Sequence, residues 1–175
     1  MNGEPDIRLR IGRSLYDHVL SDLRRPHPFA FERVGFLYAT SGNVAGDPYL
    51  ALAVDYDAVA DADYVNDPTC GARIGSDAIR RAMQRVLSTN VSAFHVHVHE
   101  HRGTPALSRT DRRGLPGVVE ALRNACPQQA HGLVVLSKDH GIAEVWLPGS
   151  DRPRSAGRVT IVGAPMASFA RCEYD

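Results

Sequence analysis

The apolar positions of the chain change period along its length, and each change marks an element. Ile7, Leu9 and Ile11 alternate with polar residues, the pattern of a half-buried strand. From Ser14-Leu15-Tyr16-Asp17 the spacing lengthens to a helical one. Leu15, Val19 and Leu23 then share a face, and Pro26 and Pro28 stop the helix. VGFLYA (34–39) and YLALAVDY (49–56) return to strand character and pair across the turn-rich TSGNVAGDP. Residues 57–72 carry turn chemistry and read as a loop. Ser76 caps a helix with Ile79, Met83 and Val86 on one face and Asn90 past its end. Alternation resumes in VSAFHVHVH (91–99) and gives way to a Gly/Pro loop over 100–110. The next helix covers 115–125, with Pro116 near its start. HGLVVLS (131–137) and IAEVWL (142–147) make a hairpin around Asp139-His140-Gly141, and RVTIVG (158–163) is a last strand. Residues from 164 carry no signal. Helices and hairpins in this order predict an α/β fold, a mixed β-sheet flanked by helices, in a single domain over 1–175.

Composition excludes some functions without changing that picture. The 20 basic and 20 acidic side chains cancel, and no long basic run stands out. Neither nucleic acid nor a membrane surface is therefore expected as a partner. No segment approaches the ~18 apolar residues of a bilayer span, and MNGEPDIRLR lacks the apolar core of a signal peptide. The three cysteines, Cys70, Cys126 and Cys172, are far apart and include no Cys-x-x-Cys pair. That usage argues against a disulfide framework and for a reducing, cytoplasmic location.

Of the 8 histidines, four stand at every second position of FHVHVHEH (94–101). On a strand, His95, His97 and His99 project to one side and Phe94, Val96 and Val98 to the other. Two imidazoles at that spacing bind one divalent metal; hydrogen-bonded structural histidines are the alternative. The loop that follows contains Ser108-Arg109-Thr110-Asp111. Ser-x-x-Asp ahead of a helix is a capping arrangement. Read with the His-x-His a dozen residues upstream, it instead completes a zinc set of two imidazoles and a carboxylate.

Glu32 in FERVGFLYA, His97-Val98-His99 and Ser108-x-x-Asp111, in that order, resemble the signature of the JAB/MPN (JAMM) metalloprotease domain. The order of elements is similar over roughly residues 7–150, and Gly35 follows Glu32 as a nearby Gly does in that family. The resemblance implies an MPN/JAB-like, cytidine-deaminase-like fold and a Zn2+ held by His97, His99, Asp111 and a water. It implies Glu32 as general base and Ser108 as hydrogen-bond donor to the developing oxyanion. It also implies an activity: hydrolysis of peptide or isopeptide bonds after the C-terminal tail of a ubiquitin-like protein. E1- and E2-like enzymes of a bacterial conjugation or antiphage defence system would be its companions.

Glu100 stands where the family usually has proline, and His99 to Asp111 is one residue longer than the commonest spacing. The pair 99/101 is thus a formal alternative to 97/99. Strand periodicity favours 97/99, with His95 and His101 flanking. A rival resemblance is the histidine-triad hydrolases and transferases of nucleotides, with His97 as nucleophile. That match ends at Glu100-His101, where apolar residues are expected, and leaves Glu32, Ser108 and Asp111 without roles. A non-catalytic MPN scaffold would lack parts of the ligand set, and a cupin-like barrel needs more strand. Cys70 is expected to be a buried or inert thiol, Trp146 a packing residue, and Arg112 and Arg113 a solvated helix end.

Overall fold

The computed structural model describes residues 6–28, 30–43 and 49–170. In chain order the elements are β1 (Ile7–Gly12), α1 (Arg13–Leu23), β2 (Val34–Asn43), β3 (Tyr49–Ala58), α2 (Ser76–Thr89), β4 (Ser92–Val98), α3 (Arg109–Ala125), β5 (His131–Leu136), β6 (Gly141–Trp146), β7 (Arg154–Ser155), β8 (Arg158–Val162) and β9 (Ala167–Ala170). The strands form one nine-stranded sheet in the order β7-β6-β5-β4-β2-β3-β1-β8-β9. It is mixed: β1 runs parallel to β3 and β8, and β4 parallel to β5, while the other pairs are antiparallel. The sheet curls, so that Phe169 of β9 comes to lie against the ring of His140, just before β6, at a centroid distance of 5.1 Å.

The two faces of the sheet have separate cores. Inside the curl, Tyr16, Val19 and Leu23 of α1 pack with Leu9, Ile11, Val96, Val134 and Val159. On the other side, Ala78, Ala82 and Val86 of α2 and Leu122 of α3 pack with Phe36, Tyr38 and Ala93. β4 lies between helices and is buried along its whole length. Its alternation therefore sorts two interiors rather than inside from outside. Phe94, Val96 and Val98 belong to the α1 core, and His95 and His97 face the α2/α3 side.

Several local expectations need correction. α1 begins at Arg13 with Gly12 in the cap position, ahead of Ser14, and Leu15 is only half-buried while Tyr16 is buried. Ser76 makes no cap: Gly75 holds that position with extended backbone, and Ala78 and Ala82 with Val86 form the buried face. Small residues can sit closest to the sheet, which leaves Ile79 and Met83 half-buried at its margin. Asn90 ends α2 as expected, in the left-handed conformation at φ 54°. α3 starts at Arg109, well before the segment 115–125, so Pro116 falls about two turns inside it. The Ser108–Asp111 capping box, not Pro116, marks the start of α3. The chain past 164 contributes β9, and the short β7 has no hydrophobic pattern to announce it. Part of the β2–β3 turn, Cys172 and the N-terminal residues 1–5 lie outside the described residues. Cys70 and Cys126 are free thiols. No helix among the described residues is long and apolar enough to cross a membrane.

Gly35 has a packing role. It pairs with Val96 across β2 and β4, and a Cβ placed on it would run into the ring of Tyr56. That ring is buried, and its hydroxyl donates to Asp22 Oδ2 of α1 at 2.6 Å. Gly35→Ala is expected to destabilise the fold by about 1–3 kcal/mol, because the displaced ring strains the core and weakens its hydrogen bond. A urea unfolding midpoint equal to that of the parent would contradict this.

Candidate metal centre

The site lies where β4 ends and α3 begins. His97 is the penultimate residue of β4 and is 1 % exposed. His99 lies one residue past the strand, but its N–H still donates to Leu136 O at 2.8 Å. That bond carries the β4–β5 ladder one step further and keeps His99 on the same side as His97. Their Nε2 atoms are 3.2 Å apart.

Asp111 enters from α3. Ser108 is the N-cap: its Oγ accepts from Asp111 N at 3.1 Å, and its own N–H donates to Asp111 Oδ2 at 2.7 Å. The same Oδ2 is 3.7 Å from His97 Nε2 and 3.7 Å from His99 Nε2. Capping and approach to the imidazoles, which the sequence offered as alternatives, therefore coexist in one carboxylate.

Glu32 arrives just before β2. The loop after β3 folds over it, with Gly71 O accepting from Phe31 N at 2.8 Å and from Glu32 N at 3.0 Å. Asp67 shapes that loop, accepting from Thr69 N at 3.0 Å and from Arg73 Nη1 at 3.0 Å. On the other side, Arg33 is buried and donates to Arg25 O, Pro26 O and Asp61 Oδ1 at 2.7–3.0 Å. With Glu32 held from both sides, ligand atoms of Glu32, His97 and His99 lie within 4.8 Å of one another.

The electrostatics favour the ligand forms of His99 and Asp111. Burial pushes the His99 imidazole down from its usual range, and the neighbouring His97 adds to this. Burial works to raise the Asp111 carboxyl, but the His97 imidazole and the Ser108 donors outweigh it and hold the group well below the usual carboxylate range. Glu32 goes the other way: burial raises it, His97 partly offsets this, and Asp111 adds to the rise. A neutral imidazole and an ionised carboxylate are what a metal requires. Tetrahedral zinc with Zn–N distances of ~2.0–2.1 Å sets two ligand nitrogens about 3.3 Å apart. The observed Nε2–Nε2 separation of 3.2 Å suits that, with Asp111 Oδ2 equidistant from both rings.

The remaining histidines separate by environment. His131 has partners on both ring nitrogens, Ala93 N at 3.1 Å and Cys126 O at 2.9 Å, and is a core strut. His101 is exposed, with Nδ1 on Arg102 O at 2.9 Å, and does not join the cluster. His95 is buried beside His97; its Nδ1 has no hydrogen-bond partner, and burial pushes its pKa down to about 3. Glu100 is exposed and faces Arg24 at 3.4 Å and Lys138 at 3.7 Å.

Glu32, His97, Ser108 and Asp111 line a cleft of about 520 Å³. Cys70, expected to be buried or inert, is half-buried and lines the same cleft. Trp146 packs with Val119 and Leu133, and Arg112 and Arg113 are exposed, as read from the sequence. Gly71 and Arg33 were not singled out from the sequence. Their contacts with or around Glu32 span long sequence separations and leave no local pattern.

No family model matches the chain, and no curated protein sequence matches it.

The geometry predicts which histidines bind metal. His97→Ala and His99→Ala are each expected to lose most of the zinc retained after loading and dialysis, measured by plasma mass spectrometry. His101→Ala should keep the parental ratio; a His101→Ala protein stripped of zinc would instead place the pair at 99/101.

Proposed function

We propose that the protein is a zinc-dependent peptidase or isopeptidase with a JAB/MPN-type fold. The observation that carries this reading is the convergence of Glu32 and Asp111 on the His97–His99 pair, beside a cleft that Glu32, His97, Ser108 and Asp111 line. His97, His99 and Asp111 are the ligands. Zinc, when bound, polarises a carbonyl and lowers the pKa of water toward ~7.

Glu32 is the general base. Its carboxylate takes a proton from the attacking water and later gives it to the leaving amine. A carboxyl whose proton affinity is raised by burial is better suited to that return step than an exposed one. Ser108 acts through its hydroxyl. Its oxygen accepts from Asp111 N, which leaves the O–H free to donate to an oxyanion. Gly71 keeps Glu32 in place: a Cβ there would lie 2.6 Å from Glu32 Oε2.

The substrate we assign is a ubiquitin-like protein, cleaved after its C-terminal tail, with E1- or E2-like enzymes as companions. That assignment rests on the order and spacing of the motif residues. The histidine-triad reading gains no support from this arrangement, since His97 faces His99 and Asp111 and that mechanism has no use for Glu32. A non-catalytic scaffold has no use for the set either.

The test is cleavage of a ubiquitin-like protein carrying a C-terminal extension, by zinc-loaded protein. Glu32→Gln should retain zinc and lose ~10²–10⁴-fold in rate. Cleavage at the parental rate by that variant would falsify the assignment of the base. Ser108→Ala should lose ~10²–10³-fold in rate and, as a lost cap, about 1 kcal/mol of stability. Gly71→Ala should lower kcat at an unchanged zinc ratio, because the added methyl displaces the Glu32 carboxylate; parental kcat would show that Gly71 does not position it.

A further inference from the structure

The cleft does not end at the metal-binding side chains. Its lining continues with Val34, Ile74, Ile79, Leu115 and Val118, all apolar. Helix geometry gives the direction. Leu115 and Val118 follow Asp111 by four and seven residues on the same face of α3, about 6 and 10 Å further along its axis. On the floor, His95 precedes His97 by two residues on β4, about 6.6 Å back along the strand. The apolar compartment thus extends inward from the ligands between α3, the start of α2 and the loop carrying Gly71.

A glycine in α3 keeps this space open. Gly114 lines it from within α3, a position where glycine is disfavoured relative to alanine. Its backbone does not require glycine, since it is not among the residues with positive φ. Nor does packing require it, since a Cβ there meets no atom within 4 Å. A side chain at 114 would narrow the cleft instead. His95 closes the floor of this space at 3 % exposure.

We infer that this compartment is a side-chain pocket: a bound polypeptide places one apolar side chain, of valine to leucine size, against Ile79, Leu115 and Val118 and above His95. The polypeptide nature of the ligand rests on the peptidase reading; the existence of an apolar pocket does not. Such a pocket makes the residue beside the scissile bond a determinant of specificity.

Binding and cleavage test the two ideas separately. In methyl NMR titrations of the full chain, N-acetyl-leucinamide should shift the Ile79, Leu115 and Val118 methyls. It should bind at least roughly tenfold tighter than N-acetyl-glycinamide. Gly114→Leu should remove that preference while keeping the parental fold and zinc ratio, with Gly114→Ala intermediate. Equal binding of the two amides, or a Gly114→Leu protein that binds the leucine amide as the parent does, overturns the pocket. Cleavage of a proteome-derived peptide mixture by zinc-loaded protein is then read by mass spectrometry. Cut sites enriched in Val, Leu or Ile at one flanking position support the inference. Cuts without side-chain preference reject it and leave the peptidase reading standing. Leucine-selective binding with no cleavage of either the peptides or the extended ubiquitin-like protein supports the pocket and removes the peptidase reading.

Discussion

One carboxylate oxygen ties the architecture of this protein to its candidate chemistry. Asp111 Oδ2 accepts from the Ser108 N–H and closes the first turn of α3, and the same atom stands 3.7 Å from each of two imidazoles. The start of the helix is thereby set against the end of β4. A carboxylate in the first helical turn is also where the helix dipole favours negative charge. The position of this group follows from the local cap, and its ionisation from the His97 imidazole together with that cap.

β4 makes the complementary contribution. It is buried on both faces, flanked by β2 and β5 and packed between α1 on one side and α2 and α3 on the other. Valines fill one face, and the other carries imidazoles into the interior. That is a poor arrangement for stability alone. The Nδ1 atoms of His95 and His97 are buried without partners, and Glu32 is desolvated close to another carboxylate. Local conflicts of this kind are typically retained where a site needs them. His131, in the same sheet with both ring nitrogens bonded, shows what a structural histidine looks like here.

Much of the fold was legible because the responsible signals are local. Period two in β1 and β4, the β5–β6 hairpin around Asp139-His140-Gly141 and the left-handed Asn90 at the end of α2 all involve neighbours in sequence. Helix starts were less legible, since Ser14 and Ser76 look like caps but lie inside their helices. The start of α3 is encoded in Ser108 and Asp111, but Pro116 is also a residue type common in a first helical turn, and the two signals compete. β9, the four residues ASFA, is too short to stand out before it pairs with β8.

The sequence by itself determined the chemical inventory: paired histidines on one strand face, a Ser-x-x-Asp turn and an upstream glutamate, in a fixed order. Spacing cannot say which imidazoles meet, because a strand presents every second residue alike. Only the tertiary structure decided that, by bringing Asp111 to His97 and His99 and leaving His101 at the surface. It also decided how Glu32 is held, through the carbonyl of Gly71, and how the cleft continues past it between two helices. These are contacts between segments far apart in the chain. They exist only once the sheet has formed and the helices have packed on it.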